Sequence, residues 1–285
     1  MFMLARRTVQ RFPAGRACLS TAPSHAFLEP VGSHPGVVSL VLNRPASKNA
    51  ISMQMLHEMR THLESVHFDK SVRVLLLRSS TEDNFCAGAD LIERRSMSAL
   101  QVSKFLTDLR LMLSQLEALP MPTIAAIDGP TLGGGLEVSL ACDLRVGGST
   151  VTKIGLPETK LGIIPGAGGT QRATRLLGVA RAKDLIFTGR MLTAQEALHW
   201  GLLDYVANPS QTAFSRALEL SEKISVNAPL ALRAAKQAIS RSQDLSLETG
   251  LDFERACYET LLPTTDRLEA LEAFKQKRRP VFKGE

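Results

Sequence analysis

Redox and metal chemistry have little to work with in this chain. Its 285 residues hold four cysteines, Cys18, Cys86, Cys142 and Cys257, with no C-x-x-C pair among them. Neither a disulfide framework nor a cysteine zinc site is expected from that scatter. The six histidines are isolated, and His199 has no neighbour at metal-ligand spacing. The single tryptophan, Trp200, precedes Gly201 at the end of a helical pattern and reads as a packing residue. No apolar run reaches the roughly 18 residues that a membrane span needs. Acid is missing from the first 28 residues, where Arg6, Arg7, Arg11 and Arg16 occur and the segment runs out through Ser20-Thr21-Ala22-Pro23-Ser24. That composition is expected of a mitochondrial transit peptide over residues 1–26, whereas a secretory signal would show a longer apolar core than Met1 to Leu4. With those four arginines set aside, the formal charge falls from +6 to +2. Global charge therefore makes no case for nucleic acid.

What remains is ordinary for a globular protein, 44% hydrophobic and 22% charged, and its patterning is mixed. Val37–Leu42, Val72–Leu77 and Thr123–Ile127 are β-branched or apolar runs that read as buried strands. Met55, Met59, Leu63 and Val66 recur at helical spacing behind a cap at Ser52, and Val102, Phe105, Leu109, Met112, Leu116 and Leu119 mark a long amphipathic helix. Leu144–Val146 and Leu202–Val206 are shorter strand candidates, and Thr193-Ala-Gln-Glu196 is a capping box. From Ser215 onward the pattern is helical, with an internal boundary near residue 205. Strands alternating with helices over short loops imply an α/β fold.

The most informative stretch is Gly133-Gly134-Gly135-Leu136-Glu137, between the apolar strand ending at Ile127, the turn Asp128-Gly129-Pro130, and a helical pattern. Glycines let a backbone approach a ligand closely. The first turn of a helix carries unpaired N–H groups and partial positive charge, which suits an oxygen that becomes negative during a reaction. Glu137 places a carboxylate beside it. Ala87-Gly88-Ala89 is a second small-residue loop able to expose backbone N–H groups. Glu158 stands at the edge of a third glycine-bearing segment, Pro165-Gly-Ala-Gly-Gly-Thr-Gln-Arg172, which meets neither the phosphate-loop nor the dinucleotide-binding spacing.

Four stretches together resemble the enoyl-CoA hydratase/isomerase, or crotonase, superfamily over about residues 27–285. They are Asn43-Arg44-Pro45 with Asn49-Ala50, Phe85–Asp90, Gly133–Glu137 with Cys142-Asp143, and Pro157-Glu158 through Arg172. Phe85–Leu91 and Gly162–Gly166 carry a narrower likeness to mitochondrial hydratases of the methylglutaconyl-CoA hydratase type, some of which also bind AU-rich RNA. The resemblance implies a spiral of ββα units over 27–205 and a C-terminal helical trimerisation region over 206–285, assembled as trimers usually paired into hexamers. It places the thioester oxygen between the N–H groups of Ala89 and Gly134. It assigns Glu137 to activating water and Glu158 to exchanging the α-proton, with either able to assist the other. It lays coenzyme A, as part of an acyl-CoA substrate, along Ser47, Lys48, Ala87, Asp90 and Leu91, with Phe274 and Lys277 contributed by an adjacent subunit. It implies no metal and no separate cofactor, and a place in the mitochondrial matrix.

One departure stands out. The segment from Asp143 to Glu158 is one residue longer than the family pattern around Gly147–Thr152, so a displaced Glu158 is an expectation to check. An isomerase, which needs one carboxylate, is the second enzyme reading. RNA binding is the third. In RNA-binding relatives the helix after Asn49-Ala50 is Lys-rich, whereas here its few charges, among them Glu58, Arg60 and Glu64, alternate in sign and make no phosphate-tracking stripe.

Overall fold

The computed structural model describes residues 23–285. The transit-peptide expectation lies mostly outside the described residues, and Ala26, at its edge, is already a buried strand residue. The first strand, β1 (Ala26–Pro30), has no counterpart in the sequence reading. It is a half-exposed edge strand carrying Glu29 and Pro30, so the apolar run that marks a buried strand is missing. It runs antiparallel to β2 (Val37–Leu42), and helix α1 (Met53–Phe68) returns the chain to β3 (Val74–Ser79), parallel to β2. Strand β3 starts two residues later than Val72 because the Val72 N–H closes the turn after α1 on the Asp69 carbonyl.

Helices α2 (Leu91–Arg95) and α3 (Ala99–Glu117) lead to β4 (Thr123–Ile127). There follow β5 (Thr131–Leu132), α4 (Gly134–Leu140), β6 (Leu144–Gly147) and β7 (Ile154–Gly155). Next come α5 (Gly169–Leu177), α6 (Val179–Thr188), α7 (Ala194–Trp200) and β8 (Tyr205–Val206). Strand β8 is shorter than Leu202–Val206, since the Leu202 and Leu203 N–H groups turn back onto the Ala197 carbonyl at the end of α7. The last helices are α8 (Ala213–Ser225), α9 (Pro229–Arg241), α10 (Leu247–Glu259) and α11 (Thr265–Lys275).

The main sheet has the order β1-β2-β3-β4-β6-β8, parallel from β2 onward, and β5 pairs with β7 in a second, two-stranded sheet. Both faces of the main sheet are covered, which is why its inner strands read as continuous apolar runs. Leu75, Leu77, Ala125 and Ile127 face the large core shared with α1 and α3. Their neighbours Val74, Leu76, Ile124 and Ala126 face Ala213 and Ala217 of α8. Helix α8 therefore closes the sheet it follows. The composition boundary near residue 205 separates strands from helices, but it does not separate two cores.

Asp128, at the end of β4, fastens α8 in place: its carboxylate accepts the N–H groups of Ala213 and Phe214 at the start of that helix. Asp128→Ala removes both acceptors and is expected to cost about 1–2 kcal/mol, the usual worth of an N-terminal cap. Urea unfolding should show a lower midpoint at an unchanged slope.

Candidate active site

Four chain segments that leave the C-terminal ends of the adjacent strands β2, β3, β4 and β6 meet in one place. Asn49 ties the first two together. It is fully buried and adopts φ +52°, a left-handed conformation that asparagine tolerates better than most residues. Its Oδ1 accepts the Arg44 N–H at 2.7 Å, while its Nδ2 donates to Ser79 Oγ at 2.7 Å and to the Phe85 carbonyl at 3.0 Å. The Phe85–Asp90 loop is then laced to residues 48–51: Ala87 N–H to the Lys48 carbonyl, Ile51 N–H to the Gly88 carbonyl, and Asp90 N–H to the Ile51 carbonyl. Among the described residues the Ala89 N–H, in the middle of this lacing, has no protein acceptor.

The glycine stretch packs directly against that loop. A Cβ on Gly135 would lie 2.3 Å from the Cys86 carbonyl oxygen, so nothing larger fits there. Gly133 has φ +53°, and a Cβ on it would stand 3.1 Å from Glu158 Oε1. Gly134 begins α4, and its N–H is one of the donors a helix start leaves unpaired. A Cβ on Gly134 would be 3.3 Å from the Ala89 nitrogen. The two free amides named by the sequence are thus neighbours.

Both border a cavity of about 640 Å³ whose lining includes Ala87, Gly88, Leu91, Glu137 and Glu158. The two carboxylates, 3% and 8% exposed, sit there in unequal surroundings. Glu137 Oε1 accepts two backbone N–H groups, from Ala167 at 2.8 Å and Gly169 at 2.7 Å. Arg172 supports that loop by donating to the Ala167 carbonyl, and its charge favours ionised Glu137. Burial outweighs these contacts and holds the Glu137 carboxyl above its ordinary value. Among the described residues Glu158 Oε2, which is buried, has no hydrogen-bond partner. Burial, reinforced by the neighbouring Glu137 charge, pushes the Glu158 carboxyl from 4.5 up to about 7. The shared cavity also answers the register question: the longer segment before Glu158 does not carry it away from Glu137. Cys86 and Cys142 offer no nucleophile, since burial pushes both thiols up to about 12.

The expected coenzyme A contacts divide. Ala87 and Leu91 line the cavity; Ser47, Lys48 and Asp90 do not. The Asp90 carboxylate pairs with Arg44 and accepts the Ile92 and Glu93 N–H groups as the cap of α2. Phe274, 87% exposed, and Lys277 are not part of this chain's cavity wall. Asn49 belonged to a recognised motif, but its bracing role was not visible; Arg172 was likewise a motif letter whose task only contacts reveal. Arg94, which also lines the cavity, had no signal beyond being basic.

Fold and site together define the crotonase class: a parallel-sheet scaffold presenting two backbone donors and two acids to one cavity. The family described as enoyl-CoA hydratase/isomerase matches residues 32–285. The chain is 53% identical over 274 residues to "Enoyl-CoA isomerase/hydratase fer4" of Mycosarcoma maydis, covering 93% of this chain and 99% of that protein. It is 46% identical over 253 residues to human "Methylglutaconyl-CoA hydratase, mitochondrial", covering 88% of this chain and 74% of that protein. The crystal structure of enoyl-CoA hydratase from Bacillus anthracis superposes with a TM-score of 0.88 at 45% identity, over 92% of this chain and all of the other. The chain belongs to the enoyl-CoA hydratase/isomerase family.

The unpaired Glu158 makes a stability prediction. Folding raises its proton affinity, so its contribution is fully present below the unfolded value of 4.5 and is lost as pH rises through about 7. Glu158→Gln removes the charge. The variant should match wild-type thermal stability near pH 4.5 and exceed it above neutrality, by an amount on the order of the 1–3 kcal/mol that a buried unsatisfied group costs. Melting curves at several pH values check this.

Proposed function

We propose that this enzyme adds water across the double bond of a 2-enoyl-CoA thioester to give the 3-hydroxyacyl-CoA, with both new bonds formed on one face. The observation that carries the reading is the inequality of two acids in one cavity beside two free amides. The thioester oxygen takes the Ala89 and Gly134 N–H groups. Glu137, whose ionised form is favoured by two backbone donors, removes a proton from water as its oxygen attacks carbon 3. The enolate that develops is stabilised at the thioester oxygen, and protonated Glu158 delivers its proton to carbon 2. Glu137 then holds the proton and Glu158 the charge. Because Glu158 binds a proton more tightly, transfer from Glu137 to Glu158 restores the starting state. The amides polarise the carbonyl, so the mechanism asks for no metal and no cofactor beyond the coenzyme A of the substrate.

An isomerase would need only one carboxylate, and the presence of both favours hydration. Human methylglutaconyl-CoA hydratase and mouse "Enoyl-CoA hydratase domain-containing protein 2" are both named as mitochondrial, and with the arginine-rich start of the chain this supports work in the mitochondrial matrix, in fatty-acid or branched-chain amino-acid catabolism. A trimer, paired into a hexamer, is supported by Leu247, Tyr258, Leu268 and Phe274, large apolar side chains left exposed on α10 and α11.

Glu137→Gln and Glu158→Gln are each expected to lower kcat for crotonyl-CoA hydration by about 10²–10⁴-fold. Gly134→Ala puts a methyl group beside the Ala89 nitrogen and should cost about 10²–10³-fold, the usual loss for one oxyanion donor. Wild-type kcat/KM for hydration should decline as pH rises past about 7, where Glu158 loses its proton. Loss of the conjugated enoyl absorbance measures all three. A Glu137→Gln enzyme that hydrates at the wild-type rate would end this reading.

A further inference from the structure

The Ala89 amide is backed by a series of bonds that ends on a charge. In a planar trans peptide a carbonyl and the N–H that follows it point in opposite directions, and no cis bond occurs among the described residues. The Gly88 carbonyl accepts the Ile51 N–H at 2.8 Å. The Ala89 N–H, at the other end of that peptide unit, therefore points away from the Ile51 backbone, and both Ala89 and Gly134 border the cavity. The Ile51 N–H is in turn one end of the peptide unit that begins with the Ala50 carbonyl, and this carbonyl accepts Arg44 Nη1 at 3.1 Å. The same nitrogen pairs with the carboxylate of Asp90, the residue after Ala89. A cation, two peptide units and a free N–H thus stand in series, from the guanidinium to the cavity.

We propose that Arg44 is a positioning residue that aims and polarises the Ala89 N–H through these two peptide units, making it a stronger donor to the thioester oxygen. This rests on the hydratase reading above and deepens it by naming what strengthens one of the two oxyanion donors. A guanidinium stays charged at any working pH. A hydrogen bond from a charged donor is roughly twice as strong as a neutral one, and bonds in series polarise one another where the local dielectric is low. Ile51 and Gly88 are buried, so water does not compete along the series. Asp90 holds the guanidinium against Ala50 with one oxygen and caps α2 with the other. Asn49 cannot replace Arg44 here, since its side chain bonds to residues 44, 79 and 85 and not to 88–90. The Gly134 amide is backed differently: the carbonyl of its peptide unit, Gly133, accepts the Glu137 N–H inside α4. Both donors are held from behind, but the series behind Ala89 ends on a cation.

The test uses the full chain as wild type, Arg44→Gln and Arg44→Lys. Glutamine keeps a donor for the Ala50 carbonyl without the charge, and lysine keeps the charge. Butyryl-CoA labelled with carbon-13 at its thioester carbonyl has no double bond to hydrate, and the infrared stretch of that carbonyl reports how strongly the amides pull on its oxygen. Wild type should lower the stretch of the bound thioester relative to the free one in water. Arg44→Gln should lose much of that shift, and Arg44→Lys should keep more of it than Arg44→Gln does. In crotonyl-CoA hydration, Arg44→Gln should lower kcat by about 3- to 30-fold, part of the about 10²–10³-fold that a whole oxyanion donor is worth, with KM changed less than kcat. A wild-type shift in Arg44→Gln overturns the proposal even if its melting temperature falls, because a brace alone acts on stability. A folded Arg44→Lys enzyme that shows no shift overturns it as well, whether or not Arg44→Gln folds. So does a rise in KM at unchanged kcat, since the guanidinium then serves coenzyme A binding. A wild-type enzyme that shifts the butyryl carbonyl but does not hydrate crotonyl-CoA would remove the hydratase reading and leave the role of Arg44 to the carbonyl shift.

Discussion

The site depends on two buried carboxylates that cannot both be charged cheaply. A low-dielectric cavity penalises each charge, and the second costs more in the presence of the first. The surrounding backbone decides which acid gives way. Ala167 and Gly169 point their N–H groups at Glu137, and among the described residues none donates a hydrogen bond to Glu158 Oε2. The result is one acid biased toward base and one biased toward proton donor, set by hydrogen-bond supply and not by residue type. This is the general pattern by which paired acids acquire opposite roles at neutral pH.

Such an arrangement costs stability, so the rest of the chain must hold it rigidly. The bracing is almost entirely backbone-directed. Asn49 fixes the loop after β2 to the loop after β3, and the Ala87–Asp90 segment is stitched to residues 48–51 on both sides of the Ala89 amide, which has no acceptor among the described residues. Leaving a buried N–H unpaired is uncommon in proteins. Among the described residues half-buried Ala89 and buried Gly134 present such N–H groups side by side, with no protein acceptor for either. The absence of a side chain on Gly134 is what keeps that space open.

Much of this was legible in the letters. Thr123–Ile127 announced a buried strand because both of its faces are covered, and Ser52 and Thr193 announced helix starts because their hydroxyls accept N–H groups three residues on. The glycine run followed by Glu137 marked a helix start with unpaired N–H groups and a carboxylate in its first turn, since both follow local sequence. What stayed hidden depends on contacts between distant segments. Glu158 as a lone acid carried no signal of its own, because its environment is made by Gly133 and Glu137 at the start of α4. The Asp90 carboxylate caps α2 and pairs with Arg44, a partner 46 residues away that the local sequence does not reveal. Strand β1 was missed because an edge strand with Glu29 and Pro30 lacks the apolar alternation that marks a strand. The closure of the sheet by α8 was missed because only assembly shows which face a helix covers.

The structure also separates chemistry from recognition. The donors and the two acids are fixed by loops that leave β2, β3, β4 and β6, and their bonds run to backbone groups of those loops. Another part of the cavity wall comes from side chains of α2 and α3, including Arg94, Val102, Leu106 and Leu109, which make none of the hydrogen bonds that hold Glu137. Substitution on those helices can therefore reshape the pocket for a different acyl tail while the amides and carboxylates keep their places. A family built this way can keep one reaction and change its substrate.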